Sequence, residues 1–357
     1  MIKNIAVLAG DGIGPEVMKE AIKVLDVIAF KTGVTFNYTN ALVGASAIDS
    51  ENNPFPDSTK LICKSSDAIL FGAIGDPKYD NNPKAKIRPE DGLLEMRKFL
   101  GLYANVRPIK TYSSLIDASP LKREIIENVD FVVYRELTGG IYFGEKGVSD
   151  DGSVVFDTCT YTREEIQRIS ELAFKEAYKR NKELTLVDKA NVLSTSRLWR
   201  EVVQDMAKNK FSDIKVNYLF VDNAAMKIIT NPSEFDVILT ENMFGDIITD
   251  EASVITGSLG MLPSASIGNK ISLFEPIHGS YPQAAGKNIA NPMAMILSAA
   301  MMLNLAFDMK KEADIIQNSV KDALDSNIVT EDISSEKSLS TSEVGEWISK
   351  RVNVLFK

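Results

Sequence analysis

Apolar positions along the chain follow two rhythms. Unbroken apolar runs predict buried strands, and apolar residues three or four apart predict helices with one buried face. In the front half the two alternate. Residues 3–8 predict a strand, 15–31 a helix with Pro15 in its first turn, and 35–42 another strand. Asp57 is expected to cap a short helix over 57–64, ahead of a buried strand at 68–71. A helix over 91–100 places Leu93, Leu94 and Arg97 close on one face, and strands return at 102–110 and 131–137. This order predicts an α/β fold with an extensive parallel sheet.

The middle changes character. Residues 139–147, rich in glycine and aromatics, predict a hairpin or arm, followed by a polar amphipathic helix over 163–179. A strand at 184–187 runs into Asp188-Lys189-Ala190-Asn191, and 196–208 predicts a helix. Strands are expected at 215–221 and 237–240, and helices at 244–255, 292–307, 313–325 and 341–352. The apolar stretch 293–305 is interrupted by Ser298 and Asn304 and is shorter than the ~20 residues a bilayer requires, so it reads as a buried helix. The run 5–9 is too short for a signal-peptide core, and the cytoplasm is the expected location. There is no repeat, low-complexity stretch or polar linker, which suggests domains that interleave in sequence.

Composition narrows the chemistry. The 357 residues allow two domains. Forty Lys+Arg against 49 Asp+Glu give a net charge of -9, which disfavours nucleic acid as a partner. Cys63 and Cys159 make no disulfide framework. With His278 alone, an H-E-x-x-H zinc site or a histidine cage is excluded, and a Ser-His-Asp triad would have to use that residue.

Five groups of residues remain as candidates. Gly10-Asp11-Gly12-Ile13-Gly14-Pro15 lies between a strand and a helix, but its spacing is not G-x-G-x-x-G; a tight turn explains it equally well. Asp246 and Asp250 are four apart at the start of an expected helix, either as ligands for a hard cation or as acids favouring the helix dipole. Asp222 offers a third carboxylate at a strand's end. Arg97, Arg107 and Arg135 suit a substrate with two carboxylates, or are separate structural ion pairs. Tyr142 and Lys189 are candidate proton carriers, or a packed aromatic and a snorkelling lysine. Glu275, His278, Gly279 and Ser280 precede Asn291-Pro292, where backbone N–H groups of a Pro-started helix suit a phosphate.

Read in order, the segments G-D-G-I-G-P-E, R-P-E-D-G-L-L, N-V-R-P, R-E-L-T-G-G-I-Y-F-G-E, D-K-A-N-V-L, N-M-F-G-D-I-I-T-D and H-G-S…G-K-N-I-A-N-P resemble the β-decarboxylating dehydrogenases, the isocitrate/isopropylmalate dehydrogenase family. The resemblance covers about residues 5–307 and is greatest to the isopropylmalate branch. It implies a two-domain fold with a mixed, mostly parallel sheet that is not a Rossmann fold. One domain would be 1–102 plus 257–357, on the nucleotide side; the other, 103–256, would carry the dimer contacts and the arm around Tyr142. A homodimer is implied, with Lys189 and Asp222 serving the partner's site in the interdomain cleft.

The activity implied is oxidative decarboxylation of 3-isopropylmalate to 4-methyl-2-oxopentanoate, with reduction of NAD, in leucine biosynthesis. Mg²⁺ or Mn²⁺ would be held by Asp222, Asp246 and Asp250. Lys189 would take the hydroxyl proton and Tyr142 would help protonate the enol, while Arg97, Arg107 and Arg135 hold carboxylates and Asp222 also faces the substrate. Glu90, Leu93 and Leu94 would face the alkyl group. The cofactor would meet Ile13, Gly75, Asp76, Glu275, His278, Gly279, Ser280, Gln283, Ala290 and Asn291. Gln283 departs from the pattern, because NAD-using relatives often carry an acid there and NADP-using ones a lysine. A D-malate or tartrate enzyme of the same family is the nearest alternative. A non-catalytic regulatory subunit is the alternative of another class, and the presence of Lys189, Tyr142 and all three aspartates speaks against it. Neither nucleic acid nor membrane is an expected partner.

Overall fold

The structure, a computed structural model, describes residues 1–81 and 85–356; Asn82, Pro83, Lys84 and Lys357 fall inside the expected domain ranges but outside the described residues. The strands are β1 (Ile2–Gly10), β2 (Thr35–Asn40), β3 (Ala68–Ala73), β4 (Leu102–Lys110), β5 (Asp130–Glu136), β6 (Lys146–Val148), β7 (Val155–Asp157), β8 (Glu183–Asp188), β9 (Lys215–Phe220), β10 (Val237–Thr240), β11 (Pro263–Gly268) and β12 (Ser272–Pro276). The chain divides into two compact units, Met1–Leu102 with Gly257–Lys357, and Tyr103–Thr256.

In the first unit the strand order is β2-β1-β3-β12-β11. β1 pairs in parallel with β2 and β3, β3 with β12, and only β11 runs antiparallel to β12. β3 is buried along its whole length, which is why its sequence is an unbroken small and apolar run rather than an alternation. Helices Gly14–Thr32, Met293–Phe307, Lys310–Asp325 and Thr341–Leu355 pack on one another. Met293–Phe307 is buried on most of its circumference, so its sequence lacks a polar stripe. Among the described residues, no helix is long and apolar enough to cross a membrane. A second apolar layer joins Phe55, Cys63, Phe71, Met96 and Leu102, with Leu93 packed against it. Fully burying side chains of this size contributes roughly 1.5–3 kcal/mol each.

Three local expectations change here. Asp57 is the first residue of helix Asp57–Ser65 rather than its cap: Pro56 holds the cap position, and the Asp57 carboxylate takes Lys60 at 3.0 Å. Helix Ala45–Glu51 has no sequence signal of its own, because its start is held from afar: the Asp11 carboxylate accepts the N–H groups of Ala45 and Ser46 at 2.8 and 2.9 Å. β11 and β12 are also unanticipated; β11 begins with proline and carries two serines, with Ile267 as its one β-branched residue.

In the second unit the order is β4-β5-β10-β8-β9, with β4 antiparallel to β5 and the others parallel. Helices Arg163–Lys179 and Ser194–Lys210 pack together, as do Val221–Thr230 and Asn242–Ser253. The expected strand over 215–221 stops at Phe220, so Asp222 lies in the first turn of a helix. The Gly- and aromatic-rich segment forms the turn Gly140–Tyr142 and then the two-stranded ribbon β6–β7.

Candidate active site and cofactor cavity

The second unit gathers its charges on helix Asn242–Ser253. Asn105 and Arg107 are two apart on β4 and so share a face, and Asn105 stands opposite Arg135 on β5. Positions 242, 246, 249 and 250 fall on the side of the helix that meets these strands. Arg107 donates through Nε to Asn105 Oδ1 at 2.7 Å and through Nη1 to Thr249 Oγ1 at 2.6 Å and to Asp250 Oδ1 at 3.3 Å. Arg135 donates through Nε and Nη2 to Asn242 Oδ1 and pairs through Nη1 with Asp246. Gly245 permits this approach, since a Cβ there would lie 2.6 Å from Arg135 Cγ.

Tyr142 completes the cluster. Its hydroxyl donates to Asp246 Oδ2 at 2.9 Å. Burial, and then the contact with the Asp246 carboxylate, push its pKa above the ordinary value, so the phenol keeps its proton at neutral pH. Lys189 follows β8 and Asp222 follows β9; these strands are parallel neighbours, and their adjoining ends bring the ammonium and the carboxylate into an ion pair. The hydrogen bond from Lys189 lowers the Asp222 acid below its ordinary range.

Asp246 and Asp250 lie well inside the helix, whose first turn carries no acid, so the dipole explanation for them fails. Among the described residues no three His, Cys, Asp or Glu side chains of one chain stand close enough to hold a metal ion. The chain therefore presents Asp246 with Asp250, and separately Asp222 with Lys189.

In the first unit the turn after β1 meets the segment after β12. Ile13 N–H donates to the Ser280 carbonyl at 2.8 Å. Gly12 has a φ of 57°, and a Cβ there would overlap that carbonyl. Beside this contact lies a cavity of about 660 Å³. Ile13, His278, Gly279, Ala290 and Asn291 line it, joined by Leu259, Tyr281, Glu331 and Asp332, which the sequence reading did not single out. No lysine or arginine is among its lining residues. His278 Nε2 is buried without a hydrogen-bond partner, and burial lowers the pKa of the imidazole. The first N–H of helix Met293–Phe307 donates to Asn291 Oδ1 at 3.0 Å.

Other expected cofactor residues stand outside that cavity. Gly75 N–H donates to Asp11 Oδ2 at 2.9 Å. A Cβ on Gly75 would lie 3.3 Å from Glu90 Oε1 and 3.4 Å from Ser280 Oγ, so these three positions converge. Asp76 caps the short helix Pro77–Asp80. Glu275 on β12 is buried and lies 3.9 Å from Arg97 Nη2. Gln283 is exposed in the turn Pro282–Ala284. Glu90, Leu93, Leu94 and Arg97 share helix Pro89–Leu100, with both leucines half-buried. Sequence reasoning missed Asn105, Asn242 and Thr249, which orient the arginines. Their signal is spacing: two before Arg107 on a strand, four before Asp246 and one before Asp250 on a helix.

One α/β unit thus carries an acid–arginine helix face and the other a cavity of about 660 Å³, both on mixed, mostly parallel strands. The chain belongs to the isocitrate/isopropylmalate dehydrogenase family, whose profile matches residues 4–348. It is 54% identical over 347 residues to the 3-isopropylmalate dehydrogenase of Bacteroides fragilis, covering 97% of each chain. It is 51% identical to that of Bacillus subtilis, over 99% of this chain and 98% of the relative. Among solved structures it is similar to isocitrate dehydrogenase from Methylococcus capsulatus, at 32% identity and a TM-score of 0.87, covering 98% of this chain and 99% of the other.

Proposed function

We infer that this protein is an oxidoreductase that converts 3-isopropylmalate and NAD to 4-methyl-2-oxopentanoate, CO₂ and NADH, the decarboxylating oxidation of leucine biosynthesis. Similarity to enzymes of that name over nearly the whole chain carries the reading. The half-buried Leu93 and Leu94 support it, since an apolar helix face suits a branched alkyl group.

Each residue has a task in that reaction. Arg97, Arg107 and Arg135 hold the substrate's carboxylates through bidentate contacts. Lys189, in its neutral amine form, would accept the hydroxyl proton, and NAD, when bound, would supply the hydride acceptor. The β-keto acid then loses CO₂, and Tyr142 delivers a proton to the resulting enol. The all-oxygen donor set of Asp246 and Asp250, with Asp222 from a second copy, fits Mg²⁺ or Mn²⁺. When bound, such an ion supplies Lewis-acid charge to the substrate oxygens.

The cavity fits the adenosine part of NAD. Apolar walls from Ile13 and Ala290 suit that moiety. Glu331 and Asp332 at its edge, without a lysine or arginine among its lining residues, disfavour a 2′-phosphate and so NADP. Gly75, Asp76, Glu275, Ser280 and Gln283 act outside this cavity toward the rest of the dinucleotide. The protein works as a cytoplasmic homodimer. Exposed Met226 and Ile247 on two packed helices, and Val148, Val154 and Val155 on and beside the ribbon, offer the apolar surface for it.

The test is a substrate panel with purified protein, NAD and Mg²⁺ or Mn²⁺. Preference for 3-isopropylmalate over isocitrate, homoisocitrate, D-malate and tartrate is expected. Preference for any of the others overturns the assignment.

A further inference from the structure

One buried side chain in the second unit touches both the Arg135 guanidinium and the turn that carries Tyr142. Asn242 opens helix Asn242–Ser253 and is 1% exposed. Its Oδ1 accepts Arg135 Nε at 3.1 Å and Nη2 at 2.9 Å. Its Nδ2 donates to the Gly139 carbonyl at 3.1 Å, and its backbone N–H donates to Tyr161 OH at 3.0 Å. The amide cannot be turned around: a guanidinium only donates and a carbonyl only accepts, so a flip would lose every side-chain bond at once.

The turn is gripped from its other side as well. The Glu136 carboxylate accepts the N–H groups of Thr138 and Gly139 at 2.9 and 2.7 Å. Both backbone groups of Gly139 are therefore fixed, its N–H by Glu136 and its carbonyl by Asn242. Tyr161 packs so closely on Gly139 and Gly140 that neither position has room for a Cβ. Tyr142 ends this turn and reaches Asp246, one helical turn beyond Asn242.

We propose that Asn242 is a positioning residue that sets Arg135 and Tyr142 against one another through the two ends of its amide. The inference rests on the roles given above to Arg135 and Tyr142. A neutral amide suits the task, because it fixes the plane of the guanidinium without cancelling the charge that a substrate carboxylate needs. An aspartate would also hold the arginine, but it would neutralise it and would leave the Gly139 carbonyl without its donor.

The experiment compares wild type, Asn242→Ala and Asn242→Asp by steady-state kinetics and by amide hydrogen exchange of the segment 138–145. Loss of the charge-assisted contact in Asn242→Ala is expected to raise substrate KM about tenfold, and loss of the turn's anchor to lower kcat about tenfold. Exchange over 138–145 is expected to quicken in both variants while helix Gly14–Thr32 keeps its wild-type exchange. A residue that only fills space would lower the melting temperature and leave KM and kcat alone. Wild-type kinetics, or wild-type exchange over 138–145, in Asn242→Ala overturns the proposal. If Asn242→Ala does not fold, the nearly isosteric Asn242→Asp decides by the same exchange reading. A wild type unable to oxidise 3-isopropylmalate, with faster exchange in the variants, sinks the functional reading and leaves the link through Asn242 standing.

Discussion

The helix face in the second unit and the cavity in the first are prepared for their ligands in opposite ways. On the helix face the functional charges are already engaged: Asp246 by Arg135 and Tyr142, Asp250 by Arg107, and each arginine by a neutral oxygen as well. The cavity is shaped by backbone, with Gly12 against the Ser280 carbonyl, and leaves His278 Nε2 without a partner. The first arrangement stores charge in pairs that a charged substrate can exchange into. The second keeps an open space beside a backbone contact. Chemistry is expected to fail when the first is altered, and binding or stability when the second is.

The largest break in that contrast lies at Lys189. Lys189→Ala is expected to lower kcat by about 10²–10⁴, as for loss of a general base, with little change in KM. A large rise in KM at unchanged kcat would remove its role as base. Arg107→Ala comes next. Losing a charged hydrogen-bond donor of about 2–3 kcal/mol predicts a substrate KM raised some 30- to 150-fold, with NAD KM unchanged. Equal changes for substrate and cofactor would mean that Arg107 serves the fold instead.

On the cavity side, Gly12→Ala forces a side chain into a left-handed turn and onto the Ser280 carbonyl. A loss of about 1–3 kcal/mol in stability, read from denaturant midpoints, is expected together with a higher NAD KM. Unchanged values would show that the turn gives way easily. The smallest effect concerns pH. Burial lowers the His278 pKa beneath its ordinary 6.5, so the unfolded chain binds this proton more readily than the folded one. Its contribution to stability is complete above pH 6.5 and is lost as pH falls toward the folded value. A series of melting temperatures should therefore decline less steeply below pH 6.5 in His278→Gln than in wild type.

The same contrast explains what was legible in the sequence. Asp246 and Asp250, Arg107 and Arg135, and Lys189 at a strand end announce themselves by residue type and spacing. The structure brings Arg107 to Asp250 and Arg135 to Asp246, while Asp222 meets Lys189. The alternating front half and helix Arg163–Lys179, with its Thr162/Glu165 capping box, were readable because local signals determine them. Helix Ala45–Glu51 was not, because a carboxylate 34 residues away holds its start. β11 was not, because its serines carry no strand pattern. Asn242 was hidden for a related reason: its partners, Arg135 and Gly139, are more than 100 residues distant. Gln283, weighed at the sequence level as a cofactor contact, lies in an exposed turn, whereas Glu331 and Asp332 reach the cavity from a segment with no motif.

The central claim is that Asp246 and Asp250 of one chain act with Lys189 and Asp222 of another. Mixing the inactive variants Lys189→Ala and Asp246→Asn, with reassortment of subunits, tests it directly. In a hybrid dimer one shared site is then wholly wild type and the other doubly altered. Random reassortment predicts recovery of about a quarter of wild-type activity. Activity that stays at the level of the separate variants, in a mixture shown to contain hybrids, would contradict the account.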